Sequence, residues 1–151
     1  HRKAELKRLV QELPLGHPVR IVDGDYVPER FYALAKGLED LPERGLRCQK
    51  CIGHRLEETF RIALQQPERP DYVCTTLTIS PHKDAVFINT KGTELAQQYG
   101  IAWLPTDFKK KGGYQRSIVL SREYDLYRQN FCGCVYSRLE AERREKEMAS
   151  S

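Results

Sequence analysis

No stretch of this 151-residue chain approaches the ~20 consecutive apolar residues of a bilayer-crossing helix. Internal repeats and low-complexity linkers are also missing, so neither a solenoid nor a disordered tether is expected. The opening HRKAELKRLVQEL is charged and amphipathic where a signal peptide would be apolar. It lacks a methionine and reads as already inside a helix, so the sequence is expected to be an internal piece of a longer protein. Cysteines are few, and their number, five, is odd. A secreted disulfide scaffold would be shorter and its cysteines even in number. A reducing compartment, the cytoplasm, is expected instead, with no membrane association. What is present is a globular balance of 40% hydrophobic and 30% charged residues, with a formal net charge of +4. The length suits one domain with a moderate core. The mild positive charge permits an RNA or phosphate partner without requiring one.

Apolar periodicity alternates between helix and strand along the chain. Leu6, Leu9, Val10 and Leu13 stand at helical spacing, and PVRIVDGDY reads as a short strand. PERFYALAKGLED predicts a helix with Pro28 in its first turn. A third helix is expected from about Cys48, burying Ile52, Leu56, Phe60 and Ala63, with Cys48 one turn earlier on the same stripe. DYVCTTLTIS is rich in β-branched residues and predicts a buried strand, in which Cys74 is a small buried apolar residue. HKDAVFINTKGTELAQQYG predicts a helix with Ala85, Ile88, Gly92, Leu95 and Tyr99 on one face, ended by Gly100. IAWLPTDF predicts another strand, KKKGG a basic turn and YQRSIVLSREYD a helix. SRLEAERREKEMASS predicts a last helix of mixed charge. This alternation predicts an α/β fold, a mostly parallel sheet covered on both faces in a three-layer sandwich. Residues 1–137 are expected to form its one domain and residues 138–151 a charged tail. Ligands of such sheets bind beyond the carboxyl ends of the strands.

Four of the cysteines fall into two tight pairs, Cys48 with Cys51 and Cys132 with Cys134. The first pair opens a helix, where unpaired N–H groups and the helix dipole favour thiolate over thiol. Gly133 between the second pair permits the turn that lets two sulfurs converge. Together they could form one shared thiolate site. Four thiolates can close a structural zinc site or hold an iron–sulfur cluster. Spacing alone does not choose between these, or exclude a thiol-redox role for Cys48 and Cys51. A CxxC that opens a helix in an α/β pattern argues against a zinc ribbon.

Two turns carry cations. Ser80 and Pro81 read as N-cap and first residue of a helix, which places His82 and Lys83 in its first turn. Positive charge opposes the dipole there, and a bound phosphate would offset it. In TDFKKKGGYQRS, Asp107 ends a strand before Lys109, Lys110, Lys111 and Arg116, cations able to contact a nucleic-acid backbone. Arg128, Gln129 and Asn130 run into the second cysteine pair and could orient a ligand beside a metal. Each of these residues has a plainer alternative, a solvated charge or a turn cap.

Three separated segments, KGLEDLPERGLRCQKCIGHRLEETF, CTTLTISPHKD and DFKKKGGYQRSIVLSREYDLYRQNFCGCVYS, occur in the order of a known family. From roughly Asp23 to Ser137 the chain closely resembles the QueH-type, cobalamin-independent epoxyqueuosine reductases. The resemblance implies reduction of epoxyqueuosine to queuosine at the tRNA wobble position, the last step in making that base. It implies a 4Fe–4S cluster with an additional iron nearby, and a fold of the adenine nucleotide α-hydrolase (HUP) type. By motif position Cys48 and Cys51 match the family's CxxC, and Cys132 and Cys134 its CxC, as cluster or iron ligands. Ser80, His82, Lys83, Lys109, Lys110, Arg116, Arg128, Gln129 and Asn130 become candidate contacts to tRNA. Asp107 becomes a candidate proton donor or helper at the iron. An electron donor of unspecified kind is also implied. Family members open with a strand that leads into a Cys-Cys pair, and this sequence starts about where the following helix should. The competing expectation is a non-catalytic RNA-binding module with a four-cysteine structural zinc.

Overall fold

The computed structural model describes residues 2–150. In chain order these form α1 (Arg2–Glu12), α2 (Pro28–Ala35), α3 (Leu46–Leu64), β1 (Tyr72–Val73), a 3-10 turn (Thr76–Ile79), α4 (Ala85–Tyr99), β2 (Ala102–Trp103), α5 (Gly113–Glu123) and α6 (Val135–Ala149). The class is therefore mixed α and β, with two strands paired in parallel among the described residues. The chain divides into two compact units, Val22–Ile118 and a terminal unit of His1–Ile21 with Val119–Ser151.

The central unit is built on the two apolar stripes legible in the sequence. Ile52, Leu56, Phe60 and Ala63 of α3 are buried, as are Ala85, Ile88, Gly92 and Leu95 of α4. The four α3 residues, Ile88 and Leu95 join Val73, Ile101 and Trp103 in one core. Tyr72 lies opposite Ala102 and Val73 opposite Trp103, so the period-two alternation sends Val73 and Trp103 inward. Parallel strands need a crossover, here the 3-10 turn and α4. Phe60 is fully buried and stacks on Tyr99, ring centroids 5.8 Å apart, and lies 6.3 Å from Trp103. Burying such a ring stabilises by about 3 kcal/mol. The Trp103 indole lies directly on Gly92, where no side chain would fit. Gly100 ends α4 at φ 67°, its N–H donating to the Ala96 carbonyl.

Several expectations need correction. PVRIVDGDY is not a strand: residues 18–26 are irregular, and Val19, Val22 and Tyr26 are exposed. Pro18 and Gly24 weaken a strand, and none of the described strands pairs with this segment. The helix from Pro28 ends at Ala35 rather than Asp40, ahead of Gly37 at φ 76°. Both predicted strands shrink to two residues. Cys74 lies just past the end of β1 and is exposed, not buried. The helix after Ser80 begins only at Ala85, because Asp84 caps it: its Oδ1 accepts from Val86 N at 2.9 Å and Phe87 N at 3.0 Å. Ser80 instead closes a local turn, its Oγ accepting from His82 N at 3.2 Å. His82 and Lys83 therefore precede the helix, and the argument for an anion at its first turn falls away.

In the terminal unit, α1 buries no residue and α6 buries Ser137 and Ala141. Polar contacts organise it instead. Arg8 pairs with Glu5 and Glu12 and donates to the carbonyls of Tyr124 and Asp125, both at 2.9 Å. Glu5 accepts from Tyr127 N at 2.9 Å. That backbone donor holds the Glu5 carboxyl below its ordinary range, with Arg8 adding to the effect.

Candidate functional site

Cys48 and Cys51 occupy the first two turns of α3, three residues apart and so on one side of the helix. Both are half-buried, and no disulfide joins any of the five cysteines. The helix is entered through Gly45, which has no side chain to cap it. Arg47, 3% exposed, fixes the entry by donating to the carbonyls of Leu38 and Glu39. A 19-residue helix thus carries both thiols in its N-terminal turns.

The second pair also stands at the start of a helix, which the spacing had not foretold. Cys134 is the N-cap of the 15-residue α6, its sulfur accepting from Ser137 N at 3.4 Å. The Ser137 hydroxyl accepts from Cys132 N at 3.1 Å and donates to the Cys134 carbonyl at 3.2 Å. Gly133 between them takes φ 101°, a conformation closed to most other residues. The Arg2 guanidinium lies over it, and a methyl there would stand 2.5 Å from Arg2 Nη2. The three residues leading in are engaged within the unit. Arg128 donates to Ser121 Oγ at 2.9 Å, Gln129 to the Phe131 carbonyl at 2.5 Å and Asn130 to Glu145 at 2.5 Å. They shape the cysteine loop. Within either unit, the described residues gather no three His, Cys, Asp or Glu side chains into a ready metal cage.

The turns after β1 and β2 are tied together by a network that periodicity could not show. Asn89 Oδ1 accepts from Trp103 Nε1 at 3.0 Å and Thr106 N at 3.1 Å, while its Nδ2 donates to the Thr106 carbonyl at 2.9 Å. The Thr78 and Thr106 hydroxyls are hydrogen-bonded at 3.0 Å, and Thr78 also accepts from Phe108 N. This network fixes the approach to Asp107. Lys109 donates to Asp107 Oδ1 at 2.6 Å, and Lys110 pairs with Oδ2 at 3.3 Å. The Lys109 hydrogen bond, then that from Lys110, hold the Asp107 carboxyl below its usual range. Asp107 is therefore a carboxylate at neutral pH, accepting hydrogen bonds from both lysines. Lys110 and Arg116 are exposed, whereas Lys83 is buried and pairs with Glu43 at 2.7 Å. Sequence periodicity singled out none of Glu43, Arg44, Thr78, Asn89 or Thr106. Asn89 is half-buried, and its tie to Trp103 and Thr106 appears only in the folded chain.

A family model described as epoxyqueuosine reductase QueH matches residues 1–140. The chain belongs to the epoxyqueuosine reductase QueH family. The match extends beyond the Asp23-to-Ser137 stretch that holds the recognised motifs. Among relatives in this family, the epoxyqueuosine reductase QueH of Streptococcus pyogenes serotype M1 is 41% identical over 140 residues, 91% of this chain and 54% of that protein. The Staphylococcus epidermidis protein of the same name is 40% identical over 124 residues, 81% of this chain and 51% of its own length. The Thermotoga maritima protein is 39% identical over 126 residues, 82% of this chain and 64% of its own. The chain spans about half the length of the curated relatives it matches.

Proposed function

We propose that this chain is the catalytic part of an enzyme that reduces epoxyqueuosine to queuosine in tRNA. Family membership across residues 1–140 is the observation that carries this reading. The two close-spaced cysteine pairs support it, because soft sulfur donors suit iron–sulfur ligation. Cys48, Cys51, Cys132 and Cys134 are the proposed ligands of a 4Fe–4S cluster and an additional iron. When bound, those groups would supply electrons and a Lewis acid for the epoxide oxygen. The balance is two electrons and two protons in, both epoxide C–O bonds broken, an alkene formed and water released.

The chain's own residues hold and orient. Asp107, between Lys109 and Lys110, fixes two ammonium groups in the turn after β2. Exposed Lys110 and Arg116 would meet tRNA phosphates, with Ser80 and His82 of the neighbouring turn. Lys83, in its buried pair with Glu43, serves the fold of that turn instead. Arg128, Gln129 and Asn130 keep the Cys132–Cys134 loop in shape. We further propose that the parallel pair β1–β2 belongs to a HUP-type three-layer sandwich, that residues 1–137 form one domain with a charged tail, and that the enzyme works in the cytoplasm with a separate electron donor.

The direct test is anaerobic reduction of epoxyqueuosine tRNA by the full-length parent protein, read by nucleoside mass spectrometry. Queuosine should form, and Cys48→Ser or Cys134→Ser should abolish it. A protein with a reconstituted cluster and no product overturns the proposal. A colourless protein with one tight zinc, lacking absorbance near ~400 nm, assigns the chain to RNA binding with a structural metal instead.

A further inference from the structure

The start of α3 is bolted to the turn before α4 by Glu43 and Arg44, the residues just ahead of the helix. Arg44 reaches across to donate from Nε to the His82 carbonyl at 3.0 Å and from Nη2 to the Pro81 carbonyl. The preceding residue, Glu43, takes the Lys83 ammonium at 2.7 Å. The Lys83 side chain is 9% exposed and that of Glu43 28%, so the ammonium is buried while the carboxylate still meets water. Two consecutive residues thus hold three consecutive residues of the opposite turn. Arg44 does so at φ 74°, the left-handed region that non-glycine residues occupy only at a cost. A side chain kept in a strained backbone position does something that glycine could not.

What lies between the two bolted segments is Cys48. A cavity of about 20 Å³ is lined by Arg44, Cys48 and Ile52 on one side and His82, Lys83 and Phe87 on the other. It has room for about one water molecule. The thiol therefore stands against a wall whose position is set by Arg44 and by the Glu43–Lys83 pair. We propose that Arg44, Glu43 and Lys83 are positioning residues, which hold the 80–84 turn over Cys48 and so set the orientation and access of the first thiol of the CxxC pair. The use of this clamp in catalysis rests on the reductase reading; the clamp itself does not. Its consequence is that the turn offered to RNA and the thiol offered to metal move as one body.

The test uses the reduced, metal-free chain under limiting iodoacetamide, with peptide mass spectrometry of each cysteine. Cys74 is exposed and lies outside the clamp, so it serves as the internal reference. Arg44→Gly removes the side chain while giving φ 74° to the residue that adopts it most easily, so the thermal midpoint should hold. Its Cys48-to-Cys74 alkylation ratio should rise on the order of tenfold through local opening of the turn. Lys83→Glu and Glu43→Lys should each raise the ratio, and the two together should return it most of the way to the parent value. Cobalt(II) titration, read by thiolate-to-metal absorption, should show affinity lowered by about tenfold or more in Arg44→Gly. An unchanged ratio in Arg44→Gly overturns the proposal. So does an equal rise at Cys48 and Cys74, which would make Arg44 a general support of the fold, or a charge exchange that restores nothing. Because no turnover is measured, failure of the clamp is distinguishable from failure of the reductase reading.

Discussion

The two units hold themselves together by different means. The central unit packs two helices and two strands around Phe60, Ile88 and Trp103. The terminal unit buries only Ser137 and Ala141 among its described residues and relies on Arg8, Glu5 and the turn at Tyr124–Tyr127. Apolar burial is cooperative and insensitive to salt, whereas exposed ionic contacts are weak and screened. The CxxC pair therefore stands on a packed helix, and the CxC pair on a loop shaped by hydrogen bonds.

The sharpest way to break this contrast is to empty the central core. Phe60→Ala should cost about 3–5 kcal/mol in urea unfolding and abolish a single cooperative transition. Gly92→Ala should cost about 1–3 kcal/mol, since a methyl would overlap the Trp103 indole; near-ultraviolet circular dichroism of Trp103 should change with it. Asn89→Ala leaves the donors Trp103 Nε1 and Thr106 N without their acceptor and should cost about 1–3 kcal/mol by the same unfolding assay.

Smaller effects should appear in the terminal unit. Arg8→Ala should leave the main unfolding midpoint unmoved while speeding amide hydrogen exchange at residues 124–127. A shift of the main transition as large as that of Asn89→Ala would erase the distinction. Acid should act on the same contact. The Glu5 carboxyl is lower in the folded chain than its unfolded value near ~4.3, so its stabilisation is complete above that pH. It is lost as pH falls from about 4.3 through the depressed folded value, and protection of the Tyr127 amide should fall over that window. In Glu5→Gln this pH dependence should vanish.

The helices were largely legible because their information is local. The stripes Ile52–Leu56–Phe60–Ala63 and Ala85–Ile88–Gly92–Leu95 repeat at three and four residues, and such stripes can be buried only as helices. Gly100 as a stop and Pro28 as a start are equally local signals. The strands were legible only as places. β-Branched runs marked Tyr72–Val73 and Ala102–Trp103, but strand length depends on a pairing partner that no local pattern reveals. Ser80 reads as the cap in the sequence, but Asp84, four residues on, takes that place by accepting from Val86 N and Phe87 N. Cys74 failed for a related reason: one residue past the end of β1, alternation no longer governs which way a side chain faces.

For the site, the sequence by itself determined the thiol pairs, their spacing, the glycine between Cys132 and Cys134, and the family to which these motifs belong. All of these follow from residue type and order. Tertiary structure alone decided that Lys83 is buried against Glu43 and that Asn89 holds Trp103 and Thr106. It also decided that Arg44 crosses to the 80–84 turn. Each of these joins groups that are charged or polar in any context. What such a group does depends on which partner the fold brings within about 3 Å, and that distance is not written in either residue alone.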